Sequence, residues 1–320
     1  MSTGEKFTQM LIAVALFFAV VAVILLATQR LRSRKGELAQ SAAFVLPAVA
    51  LICVGLVYPA IVTIYNSFRG PNLQESVGFD NYVTIFTDDD QIQVLINTVL
   101  WVFLVPIFAT GIGLIYAVLI DRARFEKFAK ALIFLPMAIS LVGASIIWRF
   151  VYDYRDSANE QIGILNAMLK ALGFETYRFL QDPPWNTFFL IIIMIWVQAG
   201  FAMTILSASI KAIPDDIVEA ARLDGVSGFK MFRFITVPSI RPSLIVVLTT
   251  ISITTLKAFD IVRTTVGGNF DTSVLAYEFY RQSFTAFNQG LGSALGVIIF
   301  LLVIPIVVYN VRQMRKLEAR

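Results

Sequence analysis

The sequence predicts an all-α protein that crosses a membrane about seven times, and three observations carry that prediction. The chain is 58% hydrophobic and only 15% charged, against about 25% charged residues in an ordinary soluble domain. The excess lies in uncharged runs bounded by Lys6 and Arg30, Glu37 and Arg69, Asp90 and Asp121, and Lys130 and Arg149. Asp182 and Lys211, Arg241 and Lys257, and Arg281 and Arg312 bound the others. Each is near or beyond the roughly 20 residues a helix needs to cross a hydrocarbon core. The third observation is the placing of the basic residues, which sit in short clusters beside these runs rather than on a separate basic surface. That placing argues against a nucleic-acid partner despite the net charge of +4.

The predicted spans are 8–29, 42–67, 94–120, 131–151, 186–208, 243–264 and 290–311. The first is followed by Arg30, Arg32, Arg34 and Lys35 and preceded only by Lys6, which is the reverse of a cleaved signal peptide. The sixth is interrupted by Lys257 and Asp260. With the N-terminus outside, segments 30–41, 121–130, 209–242 and 312–320 face the cytoplasm and hold 17 of the 26 Lys and Arg residues. The opposite segments hold 6, as the positive-inside rule requires. The expected organisation is an extra N-terminal helix and basic loop over 1–41, then a six-helix core over 42–320. On the outer side, the stripe Ile164, Leu165, Met168, Leu169 and Leu172 between Gly163 and Gly173 predicts a short interfacial helix. Trp185 is placed to anchor the fifth span.

Several chemistries are excluded. The chain has no histidine, so Ser–His and zinc mechanisms of a membrane enzyme have no residues to run on. Its one cysteine, Cys53, cannot form an internal disulfide and reads as a small buried hydrophobe. No G-x-x-x-x-G-K-[ST] occurs; Gly228-Phe229-Lys230 lacks the phosphate-cradling loop.

The segment from Ile213 to Pro242 carries the most information. Pro214 suits a helix start, Asp215 and Asp216 complement the dipole, and Gly225 supplies a stop. Ser227 is placed to cap a second short helix ending at Pro238. Ala220 and Ala221 make one face slim, Glu219 offers a charge, and Ile217, Phe229, Phe232 and Ile235 offer apolar contacts toward the membrane helices. Taken alone, this is either an amphipathic loop on the headgroups or a knob for a partner.

Glu219-Ala220-Ala221, then Asp224-Gly225, then Ile235 and Pro238 resemble the EAA loop of ABC importer permeases. Val237 stands where leucine is usual. Val77-Gly78-Phe79-Asp80-Asn81-Tyr82 with Asn97-Thr98 is similar to the sugar permeases, as are Trp196, Gly200, Phe201, Phe259-Asp260, Thr264, Thr265, Gly267 and Gly268. Asn269 replaces their usual proline. The resemblance implies the type I importer permease fold and the larger-type subunit of the maltose, glucoside and glycerol-phosphate branch. It also implies that loop 209–242 docks on an ATPase. The partners so implied are a second permease subunit, two copies of a cytoplasmic ABC ATPase that binds the ATP and Mg, and an extracytoplasmic binding protein. This chain itself would carry no cofactor or metal. The location implied is a bacterial or archaeal cytoplasmic membrane.

Within the spans, Lys257 and Asp260 are spaced to pair at i, i+3 or to line a substrate path. Asn97, Gln198, Ser140 and Ser145 offer hydrogen bonds to sugar hydroxyls, and Trp196 and Phe259 offer stacking faces. Each polar residue can equally bond a neighbouring helix. Arg149 reads as an interface anchor. The expected cargo is a neutral sugar such as an α-glucoside or oligosaccharide, with glycerol phosphate or a polyol as the alternative. A standalone secondary transporter is the other transport reading.

Overall fold

The structure, a computed structural model, describes residues 45–120, 124–156 and 159–318, with isolated positions 4, 8, 12, 19 and 22 before them. The predicted span 8–29 and most of the 1–41 unit therefore fall outside the described residues. Two compact units are present, Met1–Tyr65 and Asn66–Arg320. In the first, helix α1 (Val45–Asn66) is long and apolar enough to cross a membrane and has a π turn at Cys53–Val57. Cys53 is exposed there, not buried as expected.

The second unit is a helical bundle. Helix α2 (Asp80–Thr87) leads into α3 (Asp89–Ile120), which starts ahead of the apolar run because Asp89 and Asp90 complement its N-terminal dipole. Then come α4 (Glu126–Phe134), α5 (Leu141–Val151), α6 (Ile164–Ala171) and α7 (Trp185–Lys211). Helix α6 forms where the sequence predicts a short helix. The C-terminal part contains α8 (Asp215–Leu223), α9 (Gly228–Ser239), α10 (Arg241–Leu256), α11 (Asp260–Thr265), α12 (Leu275–Tyr280) and α13 (Gln289–Glu318). Among the described residues, the β pairing is an isolated bridge between Arg69 and Ser76.

Two predicted spans are not single rods. The stretch 131–151 is α4 and α5 meeting at 101°, with Pro136 in the 3-10 turn Leu135–Ala138 and Ser140 capping α5 through the Gly143 N–H at 3.1 Å. Proline cannot donate the next helical hydrogen bond, and a serine cap starts a new helix. The stretch 243–264 ends at Leu256 and restarts at Asp260, so it is a helix and a separate short turn of helix. Four described helices are long enough to span singly, and up to six segments are if each bent pair counts as one.

The core is built on α3 and α7. Ala109, Gly113 and Ala117 recur every fourth residue on α3, and both alanines are fully buried. This small-residue stripe brings α3 onto Ala202 and Met203 of α7. In lipid such close packing supplies much of the attraction between helices. Gly200 makes the equivalent approach to the backbone of Ile133 and Phe134 in α4. Helices α5 and α11 pack on the other faces of α7.

Candidate functional site

The knob expected between spans five and six is present. Helix α8 begins after Pro214, with Asp215 and Asp216 in its first turn. It ends in a Schellman turn: the Val226 N–H donates to Ala221 O at 2.9 Å and the Gly225 N–H to Arg222 O at 3.0 Å. Gly225 sits at φ +78°, the left-handed region that costs glycine nothing. The expected stop at Pro238 falls one residue later. Helix α9 runs through it to Ser239, with a π turn at Phe232–Thr236 just ahead, then bends 70° into α10. A π turn loosens the ladder where the proline removes a donor. Ser227 precedes α9 but makes no side-chain capping bond.

Ala221 and Met231 are the buried residues of the knob, while Glu219, Ala220, Asp224 and Gly225 are exposed and Ile235 is half-buried. Ile217 and Phe229 do not hold the knob down as expected; both are exposed. Leu223 projects freely, 90% exposed, a feature the sequence reading did not single out. An exposed apolar side chain between charged neighbours has nothing of its own chain to cover it.

A carboxylate clamp lies beside the knob. Glu126, ahead of the apolar stretch of α4, pairs with Lys130 at 2.9 Å and also with Lys211 at the end of α7. Lys130 in addition donates to Ser207. Hydrogen bonds from Lys130 and then Lys211 bring the Glu126 carboxyl down from the ordinary 4.5 to about 2. A depressed carboxyl pKa stabilises the fold fully above the unfolded value and stops doing so as pH falls through the folded one. The melting-temperature difference between wild type and Glu126→Gln is therefore expected to be constant above about pH 5 and to vanish toward pH 2. A difference independent of pH down to 2 contradicts the clamp.

The candidate path residues fall into two groups. Trp196 and Gln198 lie on α7, where Trp196 meets Trp148 edge-on at 5.7 Å. Gln198 is half-buried. Lys257, Phe259 and Asp260 gather at the break between α10 and α11. Phe259 contacts Tyr280 at 5.0 Å, stacks on Tyr277 at 6.1 Å, and carries the Arg263 guanidinium 5.3 Å from its ring centre. The expected Lys257–Asp260 ion pair is not formed among the described residues. The i, i+3 geometry requires one continuous helix, and the helix stops between them.

Other candidates are committed to structure. Asn97, 1% exposed, donates to the carbonyls of Asp271 and Ser273 at 2.6 and 2.9 Å. Ser140 is the α5 cap, and Ser145 donates within its helix to Leu141 O at 2.7 Å. Glu278 escaped the sequence reading although it is 1% exposed. Burial opposes its charge, but hydrogen bonds from Arg281, Gln282 and Gln91 outweigh that and keep its carboxyl below the ordinary range. The signal available was the i, i+3 spacing of Glu278 and Arg281 with Gln282 beside it.

Residues 90–317 match the family described as binding-protein-dependent transport system inner membrane component. The osmoprotective compounds uptake permease protein GgtC of Synechocystis sp. is 46% identical over 275 residues, covering 86% of this chain and 99% of that protein. The alpha-glucoside transport system permease protein AglF of Rhizobium meliloti is 44% identical over 270 residues, 84% of this chain and 80% of that one. Among solved structures, a chain of a bacterial ABC transporter that imports the acidic polysaccharide alginate superposes with a TM-score of 0.73. It is 24% identical, over 86% of this chain and 94% of that one. With its bundle of membrane-spanning helices and its match over 90–317, the chain belongs to the inner-membrane permease family of binding-protein-dependent transport systems.

Proposed function

We propose that this chain is one of two membrane subunits of an ATP-driven importer of a neutral sugar such as an α-glucoside or oligosaccharide. The single observation that carries the coupling half of this reading is the exposed α8 turn, where Glu219, Ala220 and Leu223 have no cover from their own chain. In this reading the turn docks on a cytoplasmic ATPase. Two copies of that ATPase bind the ATP and Mg and do the hydrolysis, and this chain performs no chemistry. A second permease subunit completes the path, and an extracytoplasmic binding protein delivers the cargo. Closure of the ATPases pulls α8; the Glu126 clamp passes that motion from α7 to α4 and the bent α4–α5 pair.

The cargo reading rests on the likeness to AglF, which is named as an alpha-glucoside transport system permease. Phe259 and Trp196 offer faces for a sugar ring and Gln198 an amide for its hydroxyls, with Lys257 and Asp260 beside the path. Asn97 acts at one remove, by holding the loop near the outer end of α3. The N-terminus is outside and the C-terminus cytoplasmic in this reading. Single cysteines at Ser227 and Glu175 in a Cys53→Ser background test the orientation. An impermeant thiol reagent added outside should label position 175 and spare 227; labelling of 227 overturns it.

A further inference from the structure

The end of the bundle opposite the knob holds a polar cavity that the coupling reading does not use. It lies at the N-terminal end of α3, roughly 48 Å along that helix from its other end at 1.5 Å per residue. Its volume is about 300 Å³, at the lower end of the range for small-molecule sites. Asp90, Gln91, Asp271, Tyr277, Glu278 and Arg281 are among its walls.

The charges do not cancel. Arg281 is spent on Glu278, its Nε donating to Oε2 at 2.8 Å and its Nη2 to Oε1 at 2.6 Å. The carboxylates of Asp90 and Asp271 form no ion pair or side-chain hydrogen bond among the described residues. Gln91 adds a neutral acceptor. Its Nε2 donates to Glu278 Oε1 at 3.1 Å, which fixes the orientation of the amide, and its buried Oε1 has no partner. The residue is only 5% exposed, so this orphan is not satisfied by bulk water, and a buried acceptor without a donor is costly.

The wall is also set in advance. Asn97 holds the Asp271 and Ser273 carbonyls, Asn186 donates to Phe270 O at 2.6 Å, and Tyr277 donates to Gly267 O at 2.7 Å. These bonds keep Phe270 and Asp271 left-handed, at φ +57° and +59°. Asp271 is thus presented by a fixed backbone and not by a loop that must order on binding.

We propose that this cavity is a receiving subsite for a neutral, vicinally hydroxylated ligand, a sugar ring, on the outer side of the permease. This rests on the importer reading above. Ionised carboxylates only accept, and each can take two hydroxyl donors. Asp90 and Asp271 therefore suit the adjacent hydroxyls of a sugar, with the Tyr277 ring as a flank. The same two charges reject an anionic cargo, because like charges brought together at an interface are strongly unfavourable.

The test is hydrogen–deuterium exchange on the assembled importer in nanodiscs, without its binding protein. The probes are methyl α-D-glucoside, sn-glycerol 3-phosphate and choline. The glucoside should slow exchange in the peptide covering 266–281 of the wild-type complex. Asp90→Asn with Asp271→Asn should weaken that response by roughly tenfold per carboxylate in apparent affinity. Asparagine tolerates the left-handed region as aspartate does, and unchanged exchange without probe certifies the fold of the variant. Glycerol phosphate should give no protection at 266–281, and choline, drawn by the two carboxylates but without adjacent hydroxyls to donate, should give less than the glucoside. Protection confined to 257–265, protection unchanged in the double variant, or equal protection by either charged probe overturns the proposal. An importer that hydrolyses ATP and transports while 266–281 stays unprotected loses the subsite alone. A chain that never binds an ATPase loses the importer reading, whatever the exchange shows.

Discussion

Replacing Gly113 with leucine is expected to remove nearly all correctly folded protein from the membrane. A Cβ at this position would lie 2.5 Å from the Ala202 Cβ and 2.7 Å from the backbone N of Met203. Neither is the free end of a flexible side chain, so α3 and α7 must separate. Overpacking of a close interface commonly costs about 1–3 kcal/mol, and more where backbone blocks relaxation. Here the separation also forfeits the contacts of Ala109 and Ala117, and lipid supplies no hydrophobic force to close the gap. Gly113→Ala should give an intermediate loss. Gly111, two residues away, has nothing within 4 Å of its would-be Cβ, and Gly111→Leu should be tolerated. Size-exclusion profiles in detergent and the midpoint of thermal aggregation distinguish these variants. Equal losses at 111 and 113 would show that the small-residue stripe is not what joins the two helices.

Gly225→Val is expected to abolish ATPase binding while leaving membrane insertion intact. No atom lies within 4 Å of a Cβ at Gly225, so the effect is conformational and not steric. Its φ of +78° costs an L-residue about 1–2 kcal/mol, and a β-branched side chain is an outlier there. The cheaper outcome is to abandon the turn, losing the two hydrogen bonds to Ala221 and Arg222 and re-aiming α8 against α9. Gly225→Asn should restore most of the binding, since asparagine visits this region readily. Co-purification with the co-expressed ATPase reads the effect. Wild-type recovery of the ATPase with Gly225→Val would mean that the turn does not set the contact.

The sequence made α8 and its closing turn legible because their signals are local. A proline, two aspartates and a glycine at fixed offsets determine α8 and the left-handed turn whatever surrounds them. The long runs of α3, α7 and α13 were equally plain, since their length and apolarity are properties of each segment alone. The breaks were harder to read. Ser140 looked like a polar residue inside a span and is instead a cap at a 101° bend. Lys257 and Asp260 looked like partners on one helix, and the chain unwinds between them. Tertiary contacts decide such places. Phe259 is drawn toward Tyr277 and Tyr280, which come from a segment the periodicity of its own stretch cannot sense. Glu278 was passed over for the same reason, because its burial depends on Gln91, 187 positions away. Asn97 stood out as a residue type able to meet a sugar, and its donors turned out to be committed to the carbonyls of Asp271 and Ser273.

Docking of α8 on an ATPase is tested most directly at Leu223. This side chain is 90% exposed in the chain alone, so a partner that receives the knob must cover it. With Leu223→Cys in a Cys53→Ser background, the rate of maleimide labelling can be compared between the permease alone and its purified complex with the ATPase. Strongly slowed labelling in the complex, returning to the free rate when Gly225→Val is added, is the result expected. Labelling of position 223 at the free rate in an intact complex would contradict docking through α8.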